Sequence, residues 1–94
     1  MATTIFGDFE WDEEKARSNI QKHGVSFEEA ASVFLDVDYM LTSNADEPDR
    51  FVALGFSQIA RLLVVVHIER SERIRIISAR TASRTEAQSY ERRR

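Results

Sequence analysis

The apolar residues of this chain change their spacing near residue 36, and that change governs what the chain can fold into. Before it, Ala16, Ile20 and His23 recur at i, i+4, i+7, the repeat of one helix face. Lys15, Asn19 and Lys22 repeat at the same spacing on the adjacent face. Asp12 is a good N-cap ahead of them, Glu13 and Glu14 sit where the helix dipole favours acid, and Gly24 suits a left-handed stop. The spacing predicts a helix over 12–23, preceded by a short extended segment, Phe9-Glu10-Trp11. Ser26 with Glu29 three residues on forms a capping box for a second helix. Its apolar stripe is Phe27, Ala30, Ala31 and Phe34, and it ends near Leu35-Asp36. So short a link between the two makes a helical hairpin.

Beyond Asp36 the period falls to two and β-branched and aromatic residues take over. Strands are predicted over 37–42, 50–56, 61–69 and 73–80. Ser43 to Asp49 reads as a polar loop, and Ser57-Gln58 and Arg70-Ser71-Glu72 read as turns. Leu62 to Val66 is apolar on both faces, the mark of a central strand. Ser83 and Glu86 make another capping box, opening a last helix that carries Ala87 and Tyr90. Connections this short force antiparallel neighbours. The expected fold is α+β: two N-terminal helices packed on an antiparallel four-stranded meander, with a C-terminal helix, in one domain over 1–94.

Composition narrows the function classes. With 43% apolar and 31% charged residues the chain is a globular one, and no cysteine is present to build a disulfide scaffold, a thiolate metal site or a thiol nucleophile. Three glycines give no phosphate-cradling loop, and His23 and His67, the two histidines, lie far apart in sequence. No metal and no cofactor are therefore expected. The apolar runs are too short to span a bilayer, and the opening residues lack a signal peptide's basic start and apolar stretch. A soluble, cytoplasmic protein without a membrane partner is expected.

Charge is divided unevenly. Residues 1–47 hold three basic and eleven acidic side chains, whereas residues 48–94 hold ten arginines against five acids. Arginine's planar fork grips phosphate bidentately, so this half suits a polyanion. The bland alternative is solvated strand edges and a basic tail, Arg92-Arg93-Arg94. In the hairpin of the last two strands, Arg61 is expected opposite residue 82 and Arg80 opposite residue 63. That register brings both guanidinium groups to one end of the sheet, with Arg84 and a helix N-terminus beside them. Either a phosphate or carboxylates from the acidic half must neutralise such a cluster. His67 and Glu69, two apart on a strand, share a face and are candidates for a base and its orienting partner, or for a core histidine with a carboxylate. Trp11 near Lys15 stacks a base or, more simply, fills the core.

Three stretches carry a family resemblance. Phe9-Glu10-Trp11-Asp12, Lys15, Asn19 and Lys22-His23-Gly24-Val25-Ser26-Phe27-Glu28-Glu29-Ala30 resemble the opening signature of the BrnT toxins. Arg61-Leu62-Leu63-Val64-Val65-Val66-His67, Glu69-Arg70 and Arg75-Ile76-Ile77-Ser78-Ala79-Arg80 resemble their second signature, and Ala82, Arg84, Glu86 and Tyr90 the closing helix. The resemblance implies a RelE-like fold and a type II toxin acting as a ribonuclease. It implies a BrnA-like antitoxin with a ribbon-helix-helix DNA-binding region, through which alone the toxin meets DNA. Cleavage without metal would use the RNA 2′-hydroxyl as nucleophile. The expected catalytic set is Arg61 and Arg80 as phosphate clamp with His67 and Glu69 as base, and Lys15, Lys22, His23 and Arg84 as RNA contacts. The rival reading is a non-catalytic module whose arginine face docks an acidic partner protein.

Overall fold

Thr3–Phe6 (β1) and Phe9–Asp12 (β2) pair as an antiparallel hairpin through Gly7-Asp8. This computed structural model describes residues 2–43, 46–70 and 72–93. Glu13–His23 forms α1 and Phe27–Ala31 forms α2, which tightens into a 3₁₀ turn over Ser32–Leu35. Met40–Ser43 (β3), Arg50–Phe56 (β4), Leu62–Glu69 (β5) and Ile74–Thr81 (β6) follow, and Arg84–Arg93 closes the fold as α3.

The helix ends follow their capping chemistry. Asp12 accepts from Lys15 N at 3.0 Å, and Gly24, at φ 68°, donates its N–H to Ile20 O. Ser26 Oγ accepts from Glu29 N, and at α3 Ser83 and Glu86 exchange side-chain and backbone bonds as a capping box. Arg92 and Arg93 belong to α3 rather than to a tail; Arg94 lies outside the described residues, as do Ser71 of the expected turn and Asn44 and Ala45 of the expected loop.

The expected four-stranded antiparallel meander is replaced by a six-stranded mixed sheet in the order β1-β2-β6-β5-β4-β3. β3 to β6 pair antiparallel, but β2 runs parallel to β6 through Phe9↔Ile74 and Glu10↔Arg75. A parallel pair needs a long crossover, here α1, α2 and three strands, which no local turn pattern reveals. β1 escapes the periodic reading because three of its four residues are exposed.

Two cores flank the sheet. On one face Trp11, Phe27 and Val33 pack onto Leu63, Val65 and Ile76 beneath α1 and α2. On the other, Tyr90 of α3 packs with Leu54 and Val64. α1 does not bury the expected stripe: Ile20 and His23 are exposed, and its buried residue is Asn19. Among the described residues no helix is long and apolar enough to cross a membrane.

Candidate functional site

β2 pairs with β6 only at Ile74 and Arg75, so the remainder of that β6 edge has no strand beside it. Unpaired ladder groups must find other partners. Asn19 supplies them. Its Oδ1 accepts from Ala79 N at 3.1 Å, while its Nδ2 donates to Ala79 O at 2.8 Å and Val25 O at 2.9 Å. One side-chain amide thus stands in for a strand residue and fastens α1 along the edge.

Helical spacing then sets the neighbours. Lys15, Ser18 and Lys22, at i, i+3 and i+7, lie on the Asn19 side of α1. With His23 they face Ile77 and Ser78 across a polar cleft of about 180 Å³. No carboxylate lines this cleft, and among the described residues neither lysine forms an ion pair within 4 Å. Lys22 and His23 stand in the last turn of α1, where the helix dipole favours cations. An anion fits this combination of two unpaired ammonium groups, an imidazole and hydroxyls.

Arg80 lies near this cleft. It is two residues past Ser78, on the same strand face and about 7 Å along. Its fork grips Glu86 with two bonds of 2.8 Å, yet 45% of the side chain stays exposed. Those bonds hold the Glu86 carboxyl down at about 2 and push the Arg80 guanidinium up.

Arg61 is elsewhere. Its Nε and Nη2 bond Glu29 of α2, Nη2 also donates to Gly24 O at 3.0 Å, and Ser57 Oγ donates to the same carboxylate at 2.7 Å. The Arg61 bonds hold the Glu29 carboxyl below its usual range, and Glu29 in turn raises Arg61. The structure does not bring Arg61 and Arg80 together as the sequence suggests. Register is the reason. A β-bulge between Val66 and His67 shifts the pairing by one residue, so Arg80 falls opposite Val64 rather than Leu63. Val64 packs under α3 whereas Leu63 packs under the helical pair, so the two guanidinium groups lie on opposite faces of the sheet.

The other expected residues scatter. His67 is fully buried, edge-on to Phe34 at 5.0 Å and stacked on Phe51 at 5.9 Å. Burial pushes its pKa down, and Nε2 has no hydrogen-bond partner among the described residues. Glu69 is exposed at the end of β5, in a separate groove with Asp8, Arg70 and Arg73. Arg84 lines a shallow groove on α3 with Gln88 and Arg92. Trp11 is core, tilted edge-on to Phe27. Among the described residues no group of three metal-ligating side chains comes together. Three of the four expected RNA contacts, Lys15, Lys22 and His23, do share one cleft. Ser18, Ser78 and the Asn19 clasp are not evident from sequence, although Lys15, Asn19 and Lys22 share the i, i+4, i+7 spacing that marks one helix face.

A comparison with curated proteins gives no match. Among solved structures the chain is similar to the ribonuclease toxin BrnT of Brucella abortus, with 26% identity and a TM-score of 0.65, over 79% of this chain and 94% of that one. The family model for the "ribonuclease toxin, BrnT, of type II toxin-antitoxin system" matches residues 11–86, from the end of β2 into the first turn of α3 and through every residue of the basic cleft. On that match, the chain belongs to the BrnT family of type II toxin–antitoxin ribonuclease toxins.

Proposed function

We propose that this chain cleaves RNA by activating the substrate's own 2′-hydroxyl, with the scissile phosphodiester held in the α1–β6 cleft. What supports the reading is the convergence of Lys15, Lys22 and His23 beside Ser78 in a cleft free of carboxylates. RNA carries its own nucleophile, so a protein need only orient the 2′-oxygen, accept its proton, offset charge on the phosphorane and protonate the leaving oxygen. The lysines offset the charge. His23, the exposed one of the two histidines, is in position for the base's part, whereas His67 is sealed in the core. The 2′-oxygen displaces the 5′-oxygen from phosphorus, leaving a 2′,3′-cyclic phosphate and a 5′-hydroxyl. Arg80 extends the cationic surface toward the next phosphate, and Arg61 serves the fold by joining α2 to the end of α1. As partner, a BrnA-like antitoxin with a ribbon-helix-helix region neutralises the toxin and carries the complex to DNA.

The test is incubation of antitoxin-free protein with RNA in EDTA. Cyclic-phosphate ends are expected, with His23→Ala slowed about 10²-fold or more and Lys22→Ala about 10²-fold. No cleavage by the wild type, or undiminished cleavage by a variant carrying both His23→Ala and Lys22→Ala, contradicts the reading. Tight binding of an acidic partner without cleavage would favour the binding-module alternative.

A further inference from the structure

A second concavity lies between the β1–β2 hairpin and α2 and shares no lining residue with the α1–β6 cleft. Phe6, Phe9, Ala31, Phe34 and Leu35 line it, Glu28 stands at its rim, and its volume is about 260 Å³. Phe9, Ala31 and Phe34 form its floor against the core, while Phe6 is 47% and Leu35 79% exposed. Ile59 and Val37, one and two residues beyond the lining residues Gln58 and Leu35, are exposed as well. Exposed apolar side chains lining a groove on a small domain mark a contact with another molecule.

Charge identifies the occupant. Glu28 is the one charged residue of the lining, and Asp8, which also borders the groove of Arg70 and Arg73, sits exposed in the hairpin turn between Phe6 and Phe9. Such a surface repels a polyphosphate. A second copy related by a two-fold axis would set this acidic rim against itself. We propose that this groove is where the antitoxin docks, through an amphipathic segment whose apolar side chains fill the Phe6–Leu35 groove and whose flanking Lys or Arg residues meet Glu28 and Asp8. The proposal rests on the antitoxin partnership stated above and is independent of the cleavage chemistry. Neutralisation and catalysis would then use separate sites, with the antitoxin anchored in the Phe6–Leu35 groove and the RNA held in the basic cleft.

Binding of the BrnA-like antitoxin to the wild type, Leu35→Lys and Glu28→Lys, measured by calorimetry with sedimentation alongside, tests this. Both side chains are exposed, so both variants are expected to fold, and thermal unfolding verifies it. Leu35→Lys is expected to weaken binding at least tenfold and Glu28→Lys severalfold, with RNA cleavage by the free toxin unchanged in both. If both variants bind within twofold of the wild type, the surface is wrong while the partnership stands. The surface is equally wrong if Leu35→Lys only converts a dimer of the chain to a monomer. A wild type that forms no complex overturns the partnership and the surface together.

Discussion

His67 is an imidazole held between Phe34 and Phe51, with Nδ1 3.4 Å from Val65 O and no partner for Nε2 among the described residues. Burial keeps it neutral by lowering its pKa below the ordinary 6.5. Above that value the histidine is neutral in both folded and unfolded chains and contributes no pH dependence. Below it the unfolded chain takes up a proton that the core refuses, so stability falls as pH drops from 6.5 toward the lower folded value. The melting temperature of the wild type is expected to decline between pH 7 and 5 more steeply than that of His67→Leu; equal slopes would contradict this. Glu86 acts in a lower window. Held at about 2 by Arg80, it gives stability that is full above its ordinary 4.5 and is lost as pH falls toward 2. Arg80→Ala is therefore expected to flatten the melting curve's acid limb below pH 4.5, and to reduce cleavage.

At the scale of elements, α1 takes the place of a strand. Asn19→Ala would leave the N–H and carbonyl of Ala79 and the carbonyl of Val25 without their partner, a loss on the order of 3 kcal/mol, and is expected to abolish cleavage by letting the cleft open. Urea unfolding checks the first part and the cyclic-phosphate assay the second; wild-type stability would rule out the clasp. α3 has its own anchor. Tyr90 O–H donates to Asp36 Oδ2, which also accepts from Phe56 N at 2.8 Å, so one carboxylate joins α3, β4 and the 3₁₀ turn. Gly55 lies beneath this junction, where an added Cβ would come within 2.8 Å of Tyr39 Cβ and 3.0 Å of Val33 Cγ1. Gly55→Ala is expected to cost about 1–3 kcal/mol, read as a lowered urea midpoint. Local chemistry made these elements legible: Asp12, Gly24, Ser26 and Ser83 announce their helix ends, and the alternation of 50–56 announces β4. What stayed hidden was non-local. The parallel docking of β2 on β6 joins residues more than sixty positions apart, and the bulge opposite Val66 and His67 inserts Ile77 into β6, an extra residue that nothing in Ile74 to Ala79 signals. That single residue turned Arg80 to the other face. The same limit left His67 open between a base and a core histidine, because a strand histidine reads alike on either side.

Over the whole molecule, a net charge of −3 conceals an apolar groove that carries Glu28, between the β1–β2 hairpin and α2, and a basic cleft on the β6 edge. Affinity for RNA follows the local field rather than the total. Cleavage is expected to fall steeply as salt rises, through release of counterions from the phosphates, and the slope should shrink by about one for each of Lys15→Ala and Lys22→Ala. A flat response would mean that no phosphate is held there. The most direct test maps amide chemical shifts on adding a short RNA whose 2′-oxygen is blocked by methylation, so that it binds uncleaved. The largest shifts are expected over α1 from Lys15 to His23 and at Ile77 and Ser78, with the groove at Phe6 and Leu35 unmoved. Shifts confined to the α3 groove of Arg84 and Arg92, or to the Phe6–Leu35 groove, would contradict an RNA site between α1 and β6.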